Sequence, residues 1–288
     1  MGAGTLVGVP LYTLARYKGM GLAPAALRKA GLGEALGIDS DLGDLELPPL
    51  KKDALEGGVK NLAHFKEASE VIYRSLKSLA ADRVFVVGGE CSEVVGSMTG
   101  FAEGFGRRAG MLWMDSHGDF NTPETSPSGY IGGMCLAMAC GRTPGLDLPF
   151  GTSGPPLADE RLVHVGSRAL DPQEVVAFNS SPAKLFTTQQ VRKNGVADVA
   201  EEAARHLDNR SDWIACHLDV DVVDPRYISA VNYPAPGGLT LDECSTIVRI
   251  LLRTGKLRVL EISAYDASMD RGRSSAKKIV ELARSIFS

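Results

Sequence analysis

The sequence predicts an α/β fold, one domain over residues 1–288 built on a mostly parallel central sheet. Three observations predict it. Short β-rich apolar runs alternate with longer amphipathic ones. The strand-like runs are apolar throughout, as in strands covered on both faces. No linker, internal repeat or low-complexity segment divides the chain. In order, Leu6–Pro10 reads as a strand and Pro24–Ala30 as a helix. Lys60–Leu79 carries Leu62, Phe65, Ala68, Val71, Ile72, Leu76 and Leu79 at helical spacing and reads as a long helix. Arg83–Val87 is a buried-type strand ending at Gly88-Gly89. Met111–Asp115, Leu162–Val165, Lys184–Thr187, Trp213–Asp219 and Val259–Ile262 repeat the strand pattern, and Leu241–Arg253 and Ser274–Ile286 are the last helices. The Gly/Pro-rich stretches Gly141–Pro156 and Tyr233–Gly238 are short and read as loops. In such a sheet, chemistry belongs just beyond the carboxyl ends of the strands.

Composition narrows the class. With 44% hydrophobic residues the chain can bury a core. Its 31 basic against 35 acidic side chains give no field for nucleic acid or an anionic membrane. No apolar run is long enough to span a bilayer, and Met1–Pro10 lacks the basic start of a signal peptide. Five cysteines, odd in number and without C-x-x-C spacing, suit a reducing compartment, so a cytoplasmic protein is expected.

Three strand ends carry unusual polar clusters. Asp115, His117 and Asp119 are spaced by two, and so are His217, Asp219 and Asp221; along an extended chain each set projects to one face. The glycine turn Gly88-Gly89 aims Glu90 or Cys91 at the same rim. A lone D-x-D after a strand is ordinarily a solvated loop or a helix cap. Two such clusters on parallel strand ends concentrate carboxylates that must be neutralised if buried. Asp115, Asp119, Asp219 and Asp221 carry four negative charges, which two divalent ions balance. Mixed oxygen and imidazole donors point to Mn²⁺ or a similar ion, and two ions about 3.5–4 Å apart would hold a bridging hydroxide.

These segments resemble the ureohydrolases, the arginase and agmatinase family of binuclear manganese hydrolases. WMDSHGDFNTPETSPSG is similar to the family's W-x-D-A-H-x-D-x-N-T-P-x-T-x-x-S-G, and HLDVDVVDP to its S-x-D-x-D-x-x-D-P. APGGLT, Gly8-Val9-Pro10, the stretch from Ala25 to Leu32 and Glu261-Ile262-Ser263 resemble further family segments, so the likeness spans nearly the whole chain. It implies an arginase-like three-layer sandwich with two Mn²⁺ per chain. It also implies that Asp115 and Asp219 bridge the metals, that Asp119 binds the first and that His117 and Asp221 bind the second. Glu261 is implied to pair with the substrate guanidinium.

Departures from the pattern carry information. Cys91 stands where the family has a histidine ligand, and Glu90 where it has aspartate; a thiolate is a competent but soft ligand that admits other divalent metals. Gly132 falls where arginases place a proton-shuttling histidine. His217 is one substitute acid; its alternative role is a hydrogen bond to a ligand. Tyr130 replaces an asparagine of the carboxylate site and Tyr233 a threonine near the metals. Asn121 and Ser128 match carboxylate-binding positions, and Asp171 matches the aspartate that reads an α-amino group, unless it serves as a helix N-cap before Pro172.

Within the family, the HGDFNTPET run, the GY-x-GGM run and the cysteine resemble the Nω-hydroxy-L-arginine amidinohydrolase branch of D-cycloserine biosynthesis. The expected reaction is therefore Nω-hydroxy-L-arginine to L-ornithine and hydroxyurea, with Asp119, His217 and Glu261 catalytic and Cys91 among the metal ligands. Its rivals are arginase, agmatinase or guanidino-acid hydrolase activity, or a non-catalytic metal-binding homologue. The expected partners are a small guanidino or hydroxyguanidino substrate and further copies of the chain, with no nucleic acid and no membrane.

Overall fold

The computed structural model describes residues 4–152 and 154–287. In chain order the strands are β1 (Gly4–Val9), β2 (Ser40–Asp44), β3 (Leu55–Glu56), β4 (Val59–Lys60), β5 (Arg83–Gly88), β6 (Ala109–Met114), β7 (Leu162–Ser167), β8 (Lys184–Thr187), β9 (Trp213–Asp219) and β10 (Leu257–Ser263). The helices are α1 (Ala23–Lys29), α2 (Leu32–Leu36), α3 (Leu62–Leu76), α4 (Val94–Phe105), α5 (Cys135–Ala139), α6 (Pro172–Asn179), α7 (Thr188–Asn194), α8 (Val196–Asp208), α9 (Leu241–Leu252) and α10 (Ser274–Phe287). Eight strands form one parallel sheet in the order β2-β1-β5-β10-β9-β6-β7-β8; β3 and β4 make a separate hairpin.

Strand periodicity divides each apolar run between two cores. Phe85, Val87, Leu112 and Met114 pack with α1, α2 and α7–α10 on one face. Val84, Val86, Met111 and Trp113 pack with α3–α6 on the other. Helices on both faces complete the three-layer sandwich, because neither face of the sheet can be left in water.

Seven of the eight sheet strands coincide with the apolar runs. The eighth, β2, reads SDLGD and is mostly exposed, so it has no apolar signature. Ionic contacts fix it: Arg28 Nε lies 2.7 Å from Asp41 Oδ2, and the same guanidinium grips Asp44. β1 starts at Gly4 and stops before Pro10, which has no N–H to extend the ladder. α3 begins at Leu62 rather than Lys60, because Val59–Lys60 is taken by the hairpin. All five cysteines are free and buried. Among the described residues, no helix is long and apolar enough to cross a membrane.

Sheet register sets the site. Across β6, β9 and β10, Trp113, His217 and Glu261 lie in one row. One pleat further along, Ser263 pairs with Asp219, and Asp115 follows the end of β6. The upper row thus holds Asp115, Asp219 and Ser263, and the lower row lies directly beneath it.

Candidate metal centre and substrate pocket

The exits of β5, β6 and β9 bring Cys91, Asp115, His117, Asp219 and Asp221 together. Two groups have ligand atoms all within 4.8 Å of one another: Cys91, Asp115 and Asp219, and Asp115, His117 and Asp221. Asp115 belongs to both. The spacing of two works differently from the extended projection expected. At each exit the chain turns back, and the aspartate accepts the N–H two residues on. His117 N donates to Asp115 Oδ1 at 2.7 Å and Asp221 N to Asp219 Oδ1 at 2.7 Å. This is the Asx turn, which locks a carboxylate at a strand end. Ser116 N donates to Asp221 Oδ1 at 3.1 Å, joining the two exits. At the β5 exit Gly89 is required, since a Cβ there would overlap the Leu11 carbonyl.

The electrostatics call for cations. Burial and then mutual repulsion push the carboxyls of Asp115, Asp119 and Asp219 upward. Burial opposes charge on His117, but hydrogen bonds from its ring to Asp115 and Asp221 overcome that and push it up to about 12. Its Nδ1 lies 3.0 Å from Asp221 Oδ2. For Asp221 burial works upward, and the hydrogen bond from His117 outweighs it, leaving that carboxyl below the usual range. Burial, followed by the charges of Asp219, Asp119 and Asp115, pushes the Cys91 thiol up; its Sγ donates to Asp219 Oδ2 at 2.9 Å. Protons thus stand where cations would, and an oxygen, imidazole and sulfur donor set fits divalent metal ions. Asp119 is buried and receives the Cys135 thiol at 3.6 Å, yet it belongs to neither close group.

A cavity of about 200 Å³ opens over these groups. Its wall includes Cys91, His117, Asp119, Asp219 and Asp221, and also Asn121, Ser128, Tyr130 and Asp171. Asn121 Nδ2 donates to Asp171 Oδ2 at 2.9 Å. Asp171 occupies the N-cap of α6 before Pro172, and it also lines the cavity. Glu174, three residues on, accepts Asp171 N at 2.8 Å and Phe120 N at 2.9 Å, which ties the Asp119 loop to α6. That link was not legible in sequence, because it joins segments far apart in the chain. Tyr130 lies over Gly132: a Cβ on Gly132 would overlap the ring, whose hydroxyl donates to Glu90 Oε2 at 2.9 Å.

Two expected participants lie behind the wall. His217 and Glu261 are fully buried and absent from the cavity lining. His217 stacks on Trp113 with ring centres 3.8 Å apart. Its Nδ1 lies 3.0 Å from Glu261 Oε2 and its Nε2 3.0 Å from Ser263 Oγ. Glu261 also accepts the Ser97 hydroxyl. With Nδ1 engaged by Glu261 and Nε2 by Ser263, His217 is not placed as an acid for a leaving group, and neither partner belongs to the two ligand groups. Glu261 is likewise committed to His217 and Ser97 instead of facing a substrate.

The comparisons with known proteins follow the same lines. Residues 3–288 match the arginase family. The arginase of Bacillus caldovelox is 31% identical over 291 residues, covering 98% of this chain and 97% of its own. The Bacillus subtilis arginase is 29% identical over 98% of this chain and 97% of its own. The solved structure of the Bacillus caldovelox arginase superposes with a TM-score of 0.92 at 30% identity, covering 100% of this chain and 99% of that one. With the family match and the superposition both spanning nearly the whole chain, the chain belongs to the arginase family of hydrolases, which act on amidino C–N bonds.

Proposed function

We propose that this chain hydrolyses the guanidino C–N bond of an arginine-like α-amino acid, with L-arginine the substrate and manganese the metal. One observation carries the reading: Asp115 is shared by two ligand groups at the floor of a cavity whose rim holds Asn121, Ser128 and Asp171. The Asp115, His117, Asp219, Asp221 and Cys91 side chains would hold the metal. Bound divalent ions supply Lewis acidity and lower the pKa of a water. The chain's own groups do the positioning. The Asp171 carboxylate attracts an α-ammonium, and Asn121 and Ser128 offer polar contacts to an α-carboxylate. Water adds to the guanidino carbon and the bond to the ornithine nitrogen breaks, so the leaving amine must collect a proton.

That proton need favours a second reading, Nω-hydroxy-L-arginine giving L-ornithine and hydroxyurea. Among the described residues lining the cavity, the only imidazole is His117, already bound to Asp115 and Asp221. The place above Gly132 is filled by the Tyr130 ring, so no imidazole stands there, and the Tyr130 hydroxyl already donates to Glu90. A hydroxyguanidine is less basic than a guanidine, so more of it is uncharged at neutral pH and open to attack by water, which offsets a slow departure of the ornithine nitrogen.

The test is ornithine release by the Mn²⁺-loaded protein from L-arginine and Nω-hydroxy-L-arginine, with putrescine release from agmatine as control. Ornithine from either amino acid with little turnover of agmatine supports the α-amino-acid reading, and the ratio of the two decides between substrates. Asp171→Ala should lower kcat/KM about 10–100-fold for the amino acid, the worth of one charge-assisted hydrogen bond. Stoichiometric metal binding without turnover of any guanidino compound would leave the non-catalytic homologue standing.

A further inference from the structure

Behind the metal centre runs a continuous buried chain of polar groups: Glu261, His217, Ser263, Cys91 and Asp219. Its links are 3.0 Å from Glu261 Oε2 to His217 Nδ1, 3.0 Å from His217 Nε2 to Ser263 Oγ, 3.4 Å from Ser263 Oγ to Cys91 Sγ, and 2.9 Å from Cys91 Sγ to Asp219 Oδ2. Every member is buried. We infer that Glu261, His217 and Ser263 are positioning residues for Cys91, a polar shelf that rises from the lower row to Ser263 in the upper one and aims the Cys91 sulfur at the metal position it shares with Asp115 and Asp219.

The geometry is specific about how. The imidazole is held flat against Trp113, and the Ser97 hydroxyl holds the far oxygen of Glu261, so the ring cannot turn. A fixed ring presents Nε2 at one place, and that place sets the Ser263 hydroxyl. The hydroxyl in turn lies 3.4 Å from the Cys91 sulfur, a second polar neighbour beside Asp219. Trp113 supports the neighbouring ligand from the same row, its Nε1 donating to Asp115 Oδ2 at 3.1 Å. A thiol on a turn has one free torsion and weak hydrogen bonds of its own, so its direction depends on such neighbours more than that of an Asx-locked carboxylate. Outer hydrogen bonds to metal ligands change metal affinity about 10–100-fold when removed.

This inference rests on Cys91 being a metal ligand, and the experiment separates the two. The protein is loaded with Co²⁺, and the sulfur-to-cobalt charge-transfer band is recorded for the parent, Cys91→Ser, Ser263→Ala and Ser263→Thr. Mn²⁺ and Co²⁺ affinities are measured by calorimetry. The expected result is a band in the parent that Cys91→Ser abolishes. Ser263→Ala should shift or weaken it and lower affinity about 10–100-fold at that position, and Ser263→Thr, which keeps the hydroxyl, should restore it. A parent without the band overturns Cys91 ligation itself. A band that Cys91→Ser abolishes and Ser263→Ala leaves unmoved, with unchanged affinity, overturns the shelf alone. Should Ser263→Ala not fold, His217→Asn keeps a donor for Glu261, cuts the link to Ser263 and reads the same band.

Discussion

The two halves of the metal centre share one carboxylate but are built differently. On one side Asp115, His117 and Asp221 combine two acids with an imidazole whose Nδ1 is 3.0 Å from Asp221. Opposite charges meet there, and the imidazole offsets part of the carboxylate charge before any ion arrives. On the other side Cys91, Asp115 and Asp219 combine two acids with a thiol, and burial raises both Asp219 and Cys91. No cationic side chain enters that group; its support comes from Trp113 and His217 in the row beneath and from Ser263 beside Asp219. One scaffold thus offers a harder, partly charge-compensated set beside a softer set whose protons metal must displace.

The largest effect should come from removing what the halves share. Asp115→Asn should abolish high-affinity loading at both positions and reduce ornithine release by at least about 10⁴-fold, as when one member of a cooperating set is lost. Metal analysis after dialysis checks it; full occupancy of one half would show that the halves are independent. Exchanging the soft ligand should have a smaller, selective effect. Cys91→His should raise Mn²⁺ occupancy relative to Zn²⁺ by about 10-fold in competition while leaving the His117 half unaltered. Equal selectivity in variant and parent would erase the distinction drawn between the halves.

The smallest effect concerns the support of the His117 half. His164 is buried, its Nε2 lies 2.8 Å from the His117 carbonyl, and burial depresses it from 6.5 to about 3. A folded value below the unfolded one means stability present above pH 6.5 and lost as pH falls, because the unfolded chain takes the proton first. The loss approaches about 1.4 kcal/mol per pH unit. His164→Gln should remove this slope, read as the difference between variant and parent in denaturant midpoint from neutral to mildly acidic pH. A slope unchanged by the substitution would assign the acid sensitivity elsewhere.

Much of the site was legible because strand exits concentrate it. Asp115, His117, Asp219 and Asp221 announce themselves by spacing, and Cys91 by the glycine turn before it. The depth of His217 and Glu261 was not legible. Strand periodicity places both on the right face, but only the register of β6, β9 and β10 shows that they lie one pleat below the ligands. Their partners, Trp113 and Ser97, come from another strand and a helix. The position of Tyr130 over Gly132 was hidden for the same reason, since a loop conformation decides it. In the fold, the buried strands were readable from their apolar runs, whereas β2 is held by charge and left no hydrophobic trace.

The polar edge strand has a consequence for assembly. β2 is a five-residue border in which Asp41 and Asp44 are gripped by Arg28 and Gly43 takes a positive φ of 76°. An incoming strand from another molecule would meet a charged, kinked rim instead of a flat row of free amides and carbonyls. The same clasp that completes the sheet thereby discourages its extension from molecule to molecule at this edge.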